Sequence, residues 1–479
     1  MIRPLVSLIA ALGLAVTSAA SPVVAQAPDY PPMPPAGTPK PYALPAAESY
    51  SLDNGMDVTL LRYGNVPKAY IALRVYAGNL NEGDDVWLPD LVGQLLREGA
   101  AGRSATEIAE AAADMGGGLG TSVGAHETVV NLPVLAEFAA PAIQLVADVA
   151  RRPTFPESEL ERVRANLQRG LAVARTQPQT AAEVALAAAY YGTDHPYGRV
   201  LPTDAQLAGY TIDDVRRFHA EQFGARRAHL YVAGQFDPAE VKAAIEQAFS
   251  DWQPGPERLS LPAQPRPGPQ VLLVDRPDAP QSTIRIAFPA PVIGSEQDLG
   301  FRVTNALLGG AFNSRITQNI REQKGYTYSP GSGIGFNPDE ARWTFNADVT
   351  TAVTGPALQE VIGEIARLQA EPPSAEEAAG MRTYLAGIFV LQNASANGLI
   401  SSLATRDFHG LPANWLESYI PGVLAVTPAQ MQSLAREWMP LDKMTVVVVG
   451  DLDTVEPQLR GLPALEGIPL QRVDPFAAP

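Results

Sequence analysis

Cysteine is absent from this 479-residue sequence, which excludes disulfides and thiolate metal ligands at once. Histidine is scarce. The five, His126, His195, His219, His229 and His409, include no two spaced three or four apart, the spacing that puts two ligands on one helical face. Positive charge is in deficit, with a formal net charge of −16. That argues against nucleic acid as a partner, because phosphate binding needs a basic face; an acidic surface suits basic peptides instead. Long apolar runs are also missing: beyond the N-terminus no segment reaches the 18 or so apolar residues that a membrane helix needs. No G-x-S-x-G elbow occurs. Gly116-Gly117-Gly118-Leu119-Gly120 follows a helical pattern rather than a strand and has no lysine, so it is no phosphate loop.

What is present is 46% hydrophobic, enough for a folded chain of two or more domains. Residues 1–27 read as a signal peptide, with Arg3, an apolar run from Leu5 to Val16 and a small-residue site at Ala25-Gln26-Ala27. The mature chain is expected to be exported and soluble, in a bacterial periplasm, with a charge of −17 once Arg3 is removed from −16. Residues 28–47 form a proline-rich leader. Residues 253–269 hold six prolines and read as a linker with little that could pack. It divides a first lobe, 48–252, from a second, 270–470, with a tail at 471–479.

An internal repeat supports that division. Ala228-His229-Leu230-Tyr231-Val232-Ala233-Gly234 matches Met444-Thr445-Val446-Val447-Val448-Val449-Gly450, and each run follows a helical segment ending near an aromatic residue. Within each half, strands come in consecutive pairs followed by helices. The fold class is therefore α+β: two homologous lobes, each a mostly antiparallel sheet flanked by helices, enclosing a cleft where a ligand would bind.

One stretch concentrates polar function: LLGGAFNSRITQNIREQKGYTY, Leu307 to Tyr328. Gly309 and Gly310 end a helix, a short amphipathic segment follows, and Lys324-Gly325 turns into Tyr326-Thr327-Tyr328, which reads as a strand start. Arg321 offers a planar cationic fork and Tyr328 a phenolic donor, a pair suited to a peptide carbonyl. By residue type alone, a surface arginine and a core-edge tyrosine are the plainer reading.

This pattern, with His195-Pro196-Tyr197-Gly198 and the two lobes, resembles the pitrilysin/insulinase family of zinc peptidases, the inverzincins. Members that bind zinc carry H-x-x-E-H on a first-lobe helix. Counted back from Gly99-Ala100, those positions hold Asp90, Gly93 and Gln94. The third ligand position falls at Val163, with Glu161 two residues away. The resemblance implies that Arg321 and Tyr328, with Tyr326 as a rival, bind substrate and stabilise an oxyanion. It also implies that Gly309, Gly310, Phe312 and Ser314 border the bound peptide. The chain is then expected to be the non-zinc subunit of a heterodimeric peptidase, with no cofactor of its own. Zinc would lie in a homologous H-x-x-E-H partner, peptides would be the substrates, and neither nucleic acid nor membrane would take part. The alternative is a catalytically inactive peptide-binding or scaffold protein of the same fold. A homodimeric enzyme using Asp90, Gln94 and Glu161 lacks a base.

Overall fold

The computed structural model describes residues 43–477. The signal segment, most of the leader and the last two residues lie outside them. Two six-stranded sheets organise the chain. The first uses β1 (Ala47–Ser51), β2 (Asp57–Arg62), β3 (Lys68–Val75), β4 (Gly120–Val123), β5 (Thr128–Leu135) and β6 (Ala228–Gly234), in the order β1-β2-β6-β3-β5-β4. The second uses β7 (Gln270–Asp275), β8 (Gln281–Ala290), β9 (Gly331–Phe336), β10 (Ala341–Thr350), β11 (Thr445–Gly450) and β12 (Leu470–Arg472), in the order β12-β7-β11-β8-β10-β9. The repeated strands β6 and β11 hold the same place. Each runs parallel to one neighbour, β2 or β7, and antiparallel to the other, β3 or β8. From β2 and β7 to the far edges the two orders coincide, as duplication requires, and most pairings are antiparallel.

β6 and β11 are buried at every residue, because both faces of each sheet are covered. One face carries the lobe's own helices, such as Ala139–Arg151 on β3 and β5. The other face is roofed by the opposite lobe. The first-lobe helix Pro178–Tyr191 lies on β7, β8 and β11, where Ala182, Ala185 and Leu186 meet Leu272, Ala287 and Val447. The second-lobe helix Ala396–Phe408 lies on β3 and β6, joining Ala72, Tyr231 and Ala233 to the second lobe's core. The lobes therefore exchange helices.

A buried polar chain fastens the second exchange. Thr59 Oγ1 meets His229 Nε2 at 2.9 Å, His229 Nδ1 meets the Tyr231 hydroxyl at 2.9 Å, and that hydroxyl donates to Asp407 at 2.9 Å. Burial holds His229 well below its ordinary range, at about 4.

Residues 253–269 carry no helix or strand, as their prolines dictate, but they pack, contrary to the expectation of a bare linker. The Arg258 guanidinium stacks between Tyr76 and Phe408, at 4.3 and 4.0 Å from the ring centroids, and donates to the Phe408 carbonyl at 3.0 Å. Among the described residues no helix is long and apolar enough to cross a membrane.

Candidate functional site

Two wide helical turns, Ala306–Gly310 and Thr317–Gln323, frame the Arg321 segment. Its framework residues are tied down. Arg315 makes a two-pronged pair with Glu377, at 2.9 and 3.1 Å, and holds that carboxyl down to about 2. Asn319 donates to Glu360 and Glu364, and Lys324 pairs with Glu360 at 2.8 Å. Gly325, at φ +64°, turns the chain back. The turn is pinned where the Tyr326 N–H donates to the Ile320 carbonyl at 2.8 Å.

Arg321 is partly buried, its side chain 23% exposed. Its guanidinium lies 4.6 Å from the centroid of the Phe312 ring and 5.0 Å from that of Tyr328, with Glu322 at 3.3 Å. Phe312 is 70% exposed and Tyr328 80%. Nε faces Glu322, and stacking orients the guanidinium without consuming its Nη groups, which can donate to a carbonyl. The rival Tyr326 is partly buried against the second-lobe core. The structure thus brings Arg321 together with Tyr328 and Phe312.

Three expectations change here. The strand foreseen at Tyr326–Tyr328 is a single bridge from Thr327 to Val349, and β9 opens only at Gly331. Ser314 is fully buried; its Oγ accepts the Thr317 N–H and bonds Thr317 Oγ1 at 2.9 Å, so it caps a turn and cannot touch a peptide. Gly309 is buried too, and a Cβ there would lie 2.5 Å from Ser332 Oγ. Gly310 and Phe312 are the members of that group exposed to solvent.

Arg321 and Tyr328 do not line the cavity found at the lobe junction. A cavity of about 410 Å³ at the lobe junction is lined by Asn79, Asp90, Glu183, Tyr191, Asn337 and Arg342, among others, and by neither Arg321 nor Tyr328. Arg342 and Val349, which pairs with Thr327, are seven residues apart on β10, roughly 23 Å of strand. Tyr328 faces solvent beside the partly buried Arg321.

In the first lobe, the helix Leu88–Leu95 lies between β4 and the helix Glu157–Thr176, which brings the metal-motif positions together with the wrong chemistry. Asp90 accepts from Asn79 at 2.9 Å, and burial pushes its carboxyl up. Glu82, buried nearby and bonded to the Trp87 N–H, is pushed up to about 8, by burial first, with Asp90 adding to it. At Gly93 a Cβ would lie 2.4 Å from Val123 Cγ2; the helix has closed onto β4 and no longer has room for a glutamate. Val163 is in the core, and Glu161 faces solvent paired with Arg164, so it cannot substitute. Among the described residues no three His, Asp or Glu side chains are grouped to hold a metal. A zinc ion does not fit these residues: one carboxylate and one amide remain where three ligands are required.

The cavity also gathers residues that sequence reasoning missed. Glu183 pairs with Arg342 at 2.8 Å, and the Tyr191 hydroxyl donates to Glu340 at 2.9 Å. Two of these residues, Glu183 and Tyr191, sit on Pro178–Tyr191, whose alanine-rich sequence gives no amphipathic signal.

Comparison with known proteins agrees with this architecture. The family model described as insulinase (peptidase family M16) matches residues 58–203, and the one described as peptidase M16 inactive domain matches residues 209–385. Relatives include an uncharacterized zinc protease of Mycobacterium leprae, 25% identical over 81% of this chain and 88% of that protein. The uncharacterized zinc protease YmxG of Bacillus subtilis is 24% identical over 81% of this chain and 94% of its own length. Among solved structures, a peptidase M16 inactive domain from Pseudomonas fluorescens superposes with a TM-score of 0.78 at 23% identity, covering 84% of this chain and 98% of that one. A protease from Helicobacter pylori gives 0.78 at 16% identity, covering 85% and 100%.

Proposed function

The chain belongs to the insulinase (M16) peptidase family, and from that premise we propose that it is the non-zinc subunit of an exported, periplasmic, heterodimeric peptidase. Its partner would be a homologous chain carrying H-x-x-E-H and zinc. The partner's metal supplies the hydrolytic chemistry. This chain's part is to bind and orient: Arg321 and Tyr328 hold the carbonyl of the peptide, while Gly310 and Phe312 border it.

The observation that carries this reading is the contrast between the two halves of the site. The metal half is filled by packing, with Gly93 against Val123 and Val163 in the core. The gripping half keeps Phe312 and Tyr328 exposed, with the partly buried Arg321 braced between the two rings. A guanidinium stacked beside two exposed rings, away from the cavity at the lobe junction, suits a substrate shared with a second chain.

The test is reconstitution with an H-x-x-E-H homologue from the same organism. Arg321→Ala should leave assembly intact and lower kcat/KM for peptide hydrolysis by about 10²-fold or more, the range for loss of an oxyanion-stabilising donor. Full turnover by the Arg321→Ala complex would favour the alternative, a peptide-binding or scaffold protein of the same fold.

A further inference from the structure

The second-lobe helix Ala375–Gln392 turns an uncharged, largely apolar face to solvent. Gly380, Thr383, Tyr384, Gly387, Val390 and Leu391 are exposed along it, and positions 380, 384, 387 and 391 repeat at the spacing of one helical face. Leu391 is 70% exposed. No charged residue occurs in the 23 residues from Thr383 to Thr405, where a chain 18% charged would place about four. Arg382, just before that run, is tied to the Val426 carbonyl at 2.7 Å.

The duplicated fold supplies its own control. Glu157–Thr176 holds the equivalent place in the first lobe. It packs on Leu88–Leu95 as Ala375–Gln392 packs on Asp298–Asn305, and each precedes the helix that its lobe lends to the other. The first-lobe helix buries only Val163, Leu167 and Leu171, and seven of its 20 residues are charged. The position therefore tolerates a charged outer face, and the fold itself does not require the apolar one. A Cβ at Gly380 or Gly387 would meet nothing within 4 Å, so the two glycines leave room for the close approach of another molecule.

We propose that this face is the apolar centre of the contact with the H-x-x-E-H homologue; the inference rests on the heterodimer reading given above. Its place in the fold selects that occupant. Glu377, in the first turn of the helix, holds Arg315 of the Arg321 segment at 2.9 and 3.1 Å, and the helix packs on Ala306–Gly310. A peptide gripped at Arg321 and hydrolysed by the partner must touch both chains. The partner's surface then stands against this segment and its flank, and the helix is the apolar part of that flank. Interface centres are depleted of charge, and a charge-free centre lets a chain of net charge −16 be approached without local like-charge repulsion. Gly380 to Leu391 spans about 18 Å of a helix about 10 Å wide. That is about 180 Å², roughly a quarter of what each side of a stable interface buries, so the remainder comes from the surroundings, the Arg321 segment among them.

Sedimentation and calorimetric titration of the purified mature chain with the H-x-x-E-H homologue of the same organism test it. Leu391→Lys puts a charge on the face without entering the core, so the melting temperature should hold while the dissociation constant rises at least tenfold. Gly387→Arg, at a position with open space, should do the same. Val173→Lys, at a site 61% exposed on the equivalent first-lobe helix, should leave association unchanged. Equal association by the native chain and Leu391→Lys, or an equal loss with Val173→Lys, would overturn the inference and leave the role of Arg321 standing. Full association with weakened substrate binding would give the face to the peptide, and a native chain that pairs with itself through Leu391 would give it to a second copy; either result overturns the partner named here. Turnover that survives Arg321→Ala in a complex that still depends on Leu391 sinks the reading of Arg321 alone. Failure of the native chain to form a complex defeats both.

Discussion

Gly93 allows a sharp test of whether the metal half of the site is closed by packing or merely lacks its ligands. It lies inside the helix Leu88–Leu95, where alanine is favoured over glycine by about 1 kcal/mol. On propensity alone, Gly93→Ala should therefore stabilise the fold. The new Cβ, however, would sit 2.4 Å from Val123 Cγ2, far inside van der Waals contact. Val123 is β-branched and lies on the edge strand β4, so it has few rotamers into which it can retreat. Overpacking of this kind costs about 1–3 kcal/mol, and the net change should be a destabilisation of about 1 kcal/mol. Val123→Ala removes the obstructing methyl, and in that background Gly93→Ala should become neutral or stabilising. Urea unfolding of the four proteins closes the cycle, with an expected coupling of about 1 kcal/mol or more. Additivity, or a stabilising Gly93→Ala in the native background, would refute the packing argument. The same reasoning predicts that Asp90→His, Gly93→Glu, Gln94→His and Val163→Glu together will not yield a stoichiometric zinc site unless Val123 is also trimmed.

Three further outcomes follow from the geometry. In the reconstituted complex Tyr328→Phe should lower kcat/KM by roughly tenfold or more while Tyr326→Phe changes it little, because Tyr328 stacks on Arg321 and Tyr326 is turned toward the core; the reverse ranking would reassign the tyrosine. Asp407→Ala removes the acceptor of the buried Tyr231 hydroxyl and should cost about 2 kcal/mol in urea unfolding, through loosened docking of Ala396–Phe408 on the first sheet. His229 stays neutral in the fold until about 4, against 6.5 for the free side chain. The unfolded chain binds the extra proton first. Stability from neutral His229 is thus complete above 6.5 and is lost as pH falls toward 4; His229→Asn should flatten that slope in denaturation curves recorded across this range.

The sequence announced the parts of the fold governed by local chemistry. The helix at Ile212–Gln222 begins with Thr211 as its cap, and Asp214 reaches back to the Thr211 N–H at 2.9 Å, as the residue spacing implied. Pro238 opens its helix behind Asp237. The duplicated strands β6 and β11 revealed the two-lobed plan because both are buried throughout. The exchanged helices were illegible for the same physical reason that they matter. Pro178–Tyr191 packs on both its own lobe and the second sheet, so alanine, leucine and valine surround it and no polar stripe marks one face. β9 escaped notice because Gly331, Gly333 and Gly335 dilute its strand character. In the site, Arg321, Tyr328 and Phe312 could be named from the motif, but the burial of Ser314 depends on Thr317 and on packing that no spacing reveals. The cavity at Asp90 is assembled by residues from both lobes, Asn79, Glu183, Asn337 and Arg342, and such long-range encounters leave no trace in local pattern.

The most direct measurement is zinc content and peptide hydrolysis, determined for the purified mature chain alone and after mixing with its H-x-x-E-H homologue. The account predicts no stoichiometric zinc and no turnover for the chain alone. In the complex it predicts one zinc, borne by the partner, and hydrolysis that falls when Arg321 is replaced by alanine. Stoichiometric zinc and peptidase activity in the isolated chain would contradict it.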